Sequence, residues 1–198
     1  MAVAGIVLAA GTSTRMGRNK LLLELEGEPL VRRAARRGLA AGLDPLLVVL
    51  GHEGDRVREV LHGLAYTPVL NARFAEGMNT SLSAGVAAVP ARAEAALVLL
   101  ADMPFVEQAM IEEVVRRWRE TGAPVVVSRY GAAVAPPTLY ARALFPLLGG
   151  GTGEGRGREV VREQGERAHF VDWPAAALAD LDLTEDVARA RMSMERGA

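Results

Sequence analysis

Three stretches of this chain, Val3–Ala9 (VAGIVLA), Leu46–Leu50 (LLVVL) and Ala95–Leu100 (AALVLL), are apolar at every position. A strand that is apolar on both faces must be covered on both faces, and that happens chiefly in parallel sheets flanked by helices. The intervening segments fit those helices. Pro29–Ala41 reads as a helix with Leu30, Ala34 and Leu39 near one face and Gly42 at its stop. Asp55–His62, Thr80–Val89 with Asn79 as its cap, Glu107–Thr121, Leu139–Leu148 and Arg158–Gln164 also read as helices, and Thr184 caps a last one with Glu185 and Asp186 in its first turn. Tyr66–Leu70, Pro124–Ser128 and Ala168–Asp172 supply further strands. The class is α/β: a Rossmann-like, three-layer α/β/α arrangement around a mostly parallel central sheet. Residues 1–192 are expected to form one domain and 193–198 a frayed tail.

Several function classes fall away on composition. The net charge is −1, so no global field draws the chain to nucleic acid. The arginines Arg32, Arg33, Arg36 and Arg37 read as a solvated helix face. Without cysteine there is no thiol nucleophile, thiolate metal site or disulfide, and the three histidines are scattered. No apolar run reaches the ~20 residues of a membrane span, and MAVAGIVLAAG is too short a run for a secretory signal. The expected setting is cytoplasmic.

In parallel sheets, ligands bind beyond the carboxyl ends of the strands. Three loops then meet: Ala10–Lys20, Asn71–Asn79 and Ala101–Pro104. In the first, Gly11 and small neighbours let backbone N–H groups approach a ligand, and Arg15 and Lys20 add positive charge, which suits a polyphosphate. A strand-to-helix turn with solvated arginines is the plainer alternative. The spacing to Gly17 is not that of a Walker A loop. In the third loop, Asp102 directly follows an apolar strand, where a carboxylate can hold Mg²⁺ or cap the helix near Glu107. In the middle loop, Asn79, Thr80 and Ser81 place donors at a helix N-terminus, suited to an anion or to ordinary capping, and Arg73 and Glu76 form a surface pair. Gly149–Gly157 (GGGTGEGRG) is either a ligand loop or a mobile one, and its composition favours mobility.

Taken together, the motifs resemble a known family. LAAGTSTRMGRNK is similar to the L-A-[AG]-G-x-S-x-R-M-G-x-x-K signature of the MobA-like nucleotidyltransferases. Gly77–Leu82, the L-x-D-x-P stretch Leu100–Pro104 and Asp180–Asp186 match further motifs of its molybdenum cofactor cytidylyltransferase branch, in order. The resemblance implies the nucleotide-diphospho-sugar transferase type of fold. It also implies Mg²⁺-dependent transfer of CMP from CTP to the terminal phosphate of molybdopterin, with release of pyrophosphate. By that likeness Leu8, Ala9, Ala10 and Gly11 line the base and phosphates, and Arg15 and Lys20 neutralise the triphosphate. Asn71 and Ser81 lie by the nucleotide, Asp102 binds Mg²⁺, and Asp182, or else Asp180, is a second acidic group at the metal. Ala9-Ala10 leans to CTP where Gly-Gly would lean to GTP. A molybdoenzyme would receive the product.

Two departures fall in the acceptor half. Where the family has G-H-P-V-[LF]-F, this chain reads Ala135-Pro136-Pro137-Thr138-Leu139-Tyr140, and G-D-x-G-A-R is replaced within the glycine segment, with Glu154 and Arg158 at its acidic and basic positions. A guanylyltransferase or sugar-phosphate nucleotidyltransferase is therefore a rival within the class. A non-catalytic nucleotide- or cofactor-binding chaperone is the rival outside it.

Overall fold

A computed structural model of the chain describes residues 1–11 and 19–178. The strands are β1 (Ala2–Ala9), β2 (Glu24–Leu25), β3 (Glu28–Pro29), β4 (Leu46–Leu50), β5 (Thr67–Leu70), β6 (Ala93–Leu100), β7 (Val125–Tyr130), β8 (Ala133–Ala141) and β9 (Ala168–Trp173). The α-helices are α1 (Leu30–Ala40), α2 (Gly54–Val60), α3 (Met78–Ala87), α4 (Gln108–Thr121), α5 (Phe145–Leu148) and α6 (Arg156–Gln164). Seven strands form one sheet in the order β5-β4-β1-β6-β8-β7-β9, and β2 with β3 forms a small separate hairpin. Only β8 runs against its neighbours in the large sheet.

The period of two in a strand explains the uninterrupted apolar runs. Along β1, Val3, Val7 and Ala9 join one core layer with Val48, Leu97 and Ile111. Ala4, Ile6 and Leu8 join the opposite layer with Val49, Val98 and Leu82. On that second side α3 rides close to the sheet: a methyl added at Gly85 would lie 2.6 Å from Ile6 Cγ2. Among the described residues no helix is long and apolar enough to cross a membrane.

Several segments differ from the sequence reading. Leu139–Leu148 is not one helix: Leu139–Ala141 closes β8, a 3-10 turn covers Arg142–Leu144, and α5 is a single turn. Pro136 and Pro137 argue against an inner strand, since proline cannot donate to a ladder. The fold resolves this with a bulge. Val127 pairs with Thr138 but Ser128 with Ala135, so the two prolines are skipped by the ladder. Helix α1 buries Leu30, Val31, Ala35 and Gly38 rather than Ala34 and Leu39.

The α1 arginines are not a solvated face either. Arg32 donates to the carbonyls of Val60 and His62, Arg33 is 7% exposed and pairs with Glu26, and Arg36 forks onto Glu28. Arg37 donates to the carbonyls of Pro104 and Val106, at 2.7 and 2.6 Å. The cap expected at Thr184 lies outside the described residues.

Candidate functional site

The carboxyl ends of β1 and β6 lie side by side, with Leu8 opposite Leu100. The chain leaves β1 through Ala10, which is buried, and Gly11, which is exposed. A methyl added at Gly11 would meet nothing within 4 Å among the described residues. Re-entering at Asn19, the chain forms a 3-10 turn over Lys20–Leu22, capped by the Asn19 side chain accepting from the Leu21 N–H. Lys20 thereby reaches across to the loop after β6. Its Nζ lies 2.6 Å from Oδ2 of Asp102, with the two side chains 17% and 19% exposed.

The structure excludes one of the two roles open to Asp102. Helix α4 begins at Gln108 after Glu107 with no side-chain cap, so Asp102 does not cap it. Its loop is fastened from behind by the Arg37 guanidinium on Pro104 and Val106. Burial, and then the neighbouring Arg33, lower the pKa of Arg37 below the ordinary guanidinium value.

The middle loop is a second rigid element. Asn71, 7% exposed, donates to the hydroxyls of Thr80 and Ser81 at 2.9 and 3.0 Å and accepts from the Arg73 N–H. Its polar atoms staple the end of β5 to the first turn of α3. Arg73 and Glu76 do form the surface pair.

Asn79 is not the cap of α3. That place belongs to Gly77, at φ 110°. Asn79 lies inside the first turn, donates from Nδ2 to Thr152 O and accepts from the Arg156 N–H. The glycine segment is seated by these bonds. It is tied further by Asn79 N–H to Gly153 O, Gly153 N–H to Glu76 O, and Gly150 N–H to Ser83 Oγ. A Cβ at Gly77 would overlap the Gly153 carbonyl, so only glycine fits there on both counts. Composition pointed to mobility because it does not show the α3 residues that hold the segment.

The seated loop, α3 and the sheet enclose a cleft of about 220 Å³. Its walls include Leu8, Leu100, Leu82, Val134 and Val161, and its polar members include Asn79, Thr138, Tyr140, Glu154 and Arg158. Both regions where the motifs depart from the family pattern, Ala135–Tyr140 and Glu154–Arg158, thus line one space. Of these, Tyr140 carried no separate signal in the sequence. Its burial raises its pKa well above the ordinary phenol value.

Lys20 and Asp102 are brought together, and Leu8, Ala9, Ala10 and Gly11 lead directly into their loop. Arg15, Asp180 and Asp182 lie outside the described residues. Among the described residues no group of three or more His, Asp or Glu is placed to hold a metal. The donors present still suit a hard cation of the Mg²⁺ kind, which takes one or two carboxylates and completes its shell with phosphate and water.

Comparison with known proteins agrees with this geometry. Residues 5–169 match the MobA-like NTP transferase domain. The chain is 29% identical over 201 residues to the purine catabolism protein PucB of Bacillus subtilis, covering 96% of each. It is 33% identical over 162 residues to a probable molybdenum cofactor guanylyltransferase of Opitutus terrae, covering 81% of this chain and 75% of that one. The match to the bifunctional protein GlmU of Kineococcus radiotolerans, at 36% identity, spans 70% of this chain but only 29% of GlmU. Among solved structures, Rv0371c of Mycobacterium tuberculosis superposes with a TM-score of 0.86 at 25% identity, covering 97% of this chain and 98% of that one. The sheet order, the paired Lys20 and Asp102 and the match over residues 5–169 make this chain a member of the MobA-like NTP transferase family.

Proposed function

We propose that the chain is a Mg²⁺-dependent cytidylyltransferase that moves CMP from CTP to the terminal phosphate of a phosphorylated acceptor, molybdopterin being the acceptor of the branch it resembles. The observation that carries the reading is the Lys20–Asp102 pair beside the Ala9-Ala10-Gly11 turn. A phosphate oxygen of the acceptor attacks the α-phosphorus of the nucleotide. The bond from that phosphorus to the β-phosphate bridge breaks in line, and pyrophosphate leaves with the electron pair. The attacking phosphate is already ionised near neutrality, so no general base is required. Catalysis is positioning and charge neutralisation.

In this reading Leu8, Ala9, Ala10 and Gly11 face the base and phosphates with backbone groups. Lys20 and Arg15 hold the triphosphate. Asp102, with Asp182 or Asp180, would hold Mg²⁺, which when bound supplies positive charge to the phosphates. The cleft beyond Leu8 and Leu100 takes the acceptor. The reaction runs in the cytoplasm and the product passes to a molybdoenzyme. GTP is the second reading, favoured by the similarity to the probable guanylyltransferase.

Pyrophosphate release with each of the four NTPs plus Mg²⁺, with and without molybdopterin, tests the proposal. Release with CTP that depends on molybdopterin is the expected result. Release with GTP alone selects the second reading. CTP binding without release under any condition overturns catalysis in favour of a binding protein.

A further inference from the structure

The cleft is apolar along most of its length, yet its floor carries one hydroxyl that the protein leaves unused. Strand β8 contributes Thr138 and Tyr140 to the lining, alternate residues on one face, and Val134, Ala135 and Pro136 from its bulged stretch. Thr138 pairs with Val98 and Tyr140 with Ala96, so β8 descends from the outer end at Leu100 into the body of the sheet. From Thr138 to Tyr140 this descent is ~7 Å. Tyr140 is 4% exposed and lines the cleft, and its hydroxyl has no hydrogen-bond partner among the described residues.

The Tyr140 oxygen is not among the fully enclosed unpaired polar atoms of the described residues, so it opens onto the cleft, where a ligand can meet it. This fold pairs its other buried tyrosine: the Tyr130 hydroxyl donates to Pro136 O at 2.8 Å. The Tyr140 ring cannot retreat, since the Gly157 backbone closes over it so tightly that a methyl there would lie 2.8 Å from the phenolic oxygen. The same contrast recurs at the mouth. Arg156 is engaged by Leu147 O, Glu159 and Glu163, whereas Arg158, two residues on, lines the cleft with no ion-pair partner among the described residues.

We propose that Tyr140 selects the acceptor: its hydroxyl donates to an oxygen at the inner end of a phosphorylated acceptor whose middle is apolar and whose phosphate sits at the outer end. This rests on the reading of the cleft as the acceptor site. Leu82, Val134 and Val161 are apolar members of the lining, and Arg158 is a cation in it for an anionic group. Glu154, also in the lining, accepts from a hydroxyl or amine of the acceptor. An acceptor of the right size with no inner oxygen leaves the phenol unpaired and is discriminated against.

Two probes isolate this contact: 4-acetylphenyl phosphate, which carries a carbonyl oxygen opposite its phosphate, and 4-ethylphenyl phosphate, which does not. Calorimetric binding of each is measured on the full chain, unmodified and as Tyr140→Phe, with CTP binding measured on the same samples. The unmodified protein should favour the acetyl probe by about threefold to tenfold, the worth of one neutral hydrogen bond. Tyr140→Phe should abolish the preference, leave the ethyl probe's affinity in place and not lower Tm. Equal binding of both probes, binding of neither, a preference that survives in Tyr140→Phe, or a fall in Tm would each overturn the proposal. Loss of CTP binding beside an intact probe preference would overturn the nucleotide reading while supporting this one.

Discussion

The two halves of the sheet are built on different principles. From β5 through β4 and β1 to β6 all strands are parallel, and the site is made where they end. There the working parts are backbone turns plus one cross-loop contact, Lys20 to Asp102. From β8 to β9 the sheet contains a reversed strand, skipped prolines and a seated glycine loop, and the cleft is shaped by side chains. A phosphate chain is the same in every nucleotide and can be met by backbone and fixed charge. An acceptor varies in shape and must be met by side chains. Under the proposed function, the difference gives chemistry to one half and choice of partner to the other.

Substitutions should separate the two halves by the constant they move. The largest effect is expected from Asp102→Asn, which keeps the size of the side chain but removes its charge. Transfer should fall on the order of a hundredfold or more, with the far-UV spectrum unchanged. A mere loss of stability would place Asp102 among structural residues and break the comparison. Lys20→Ala should weaken NTP binding about tenfold to a hundredfold by calorimetry, leaving acceptor KM alone. Gly77→Ala forces an L-residue to φ 110° and drives a methyl into Gly153 O. It should cost about 1–3 kcal/mol in chemical denaturation, and it should raise acceptor KM more than NTP KM, because Gly77 holds the glycine loop and not the triphosphate turn. The smallest effect should come from Arg37→Met, which removes the clamp behind Asp102. A stability loss of about 1–2 kcal/mol with a several-fold lower kcat and unchanged KM values is expected. If acceptor KM moved instead, the division between halves would be too sharp.

The same division governs how much could be read in advance. The parallel half announces itself: strands buried on both faces have no room for polar residues, so β1, β4 and β6 stand out as unbroken apolar runs. Lys20 and Asp102 could be singled out because each follows a strand end, where topology places ligands. Their mutual contact could not, since it depends on how two loops cross in space. The other half resisted. Pro136 and Pro137 concealed β8, because a two-residue bulge in the partner strand's register is not a local property of the sequence. The glycine loop looked loose, because its order comes from Asn79 and Gly77, more than 70 residues earlier in the chain. Tyr140 carried no signal of its own beyond the departing motif, and only its unpaired hydroxyl in the cleft distinguishes it. The arginines of α1 were misjudged for a related reason: the carbonyls they hold belong to distant loops.

The reversal of β8 has one more consequence. Because β7 ends and β8 begins at the same edge as the carboxyl ends of the parallel strands, the turn joining them, Gly131 and Ala132, lies at that edge, just ahead of Val134 in the cleft lining. No strand of the nucleotide side is continuous with that turn. Residues inserted there would lengthen a rim without shifting β1 or β6. The hairpin is thus a natural point of divergence, where duplicated copies of one transferase could drift toward different acceptors while inheriting the same nucleotide machinery intact.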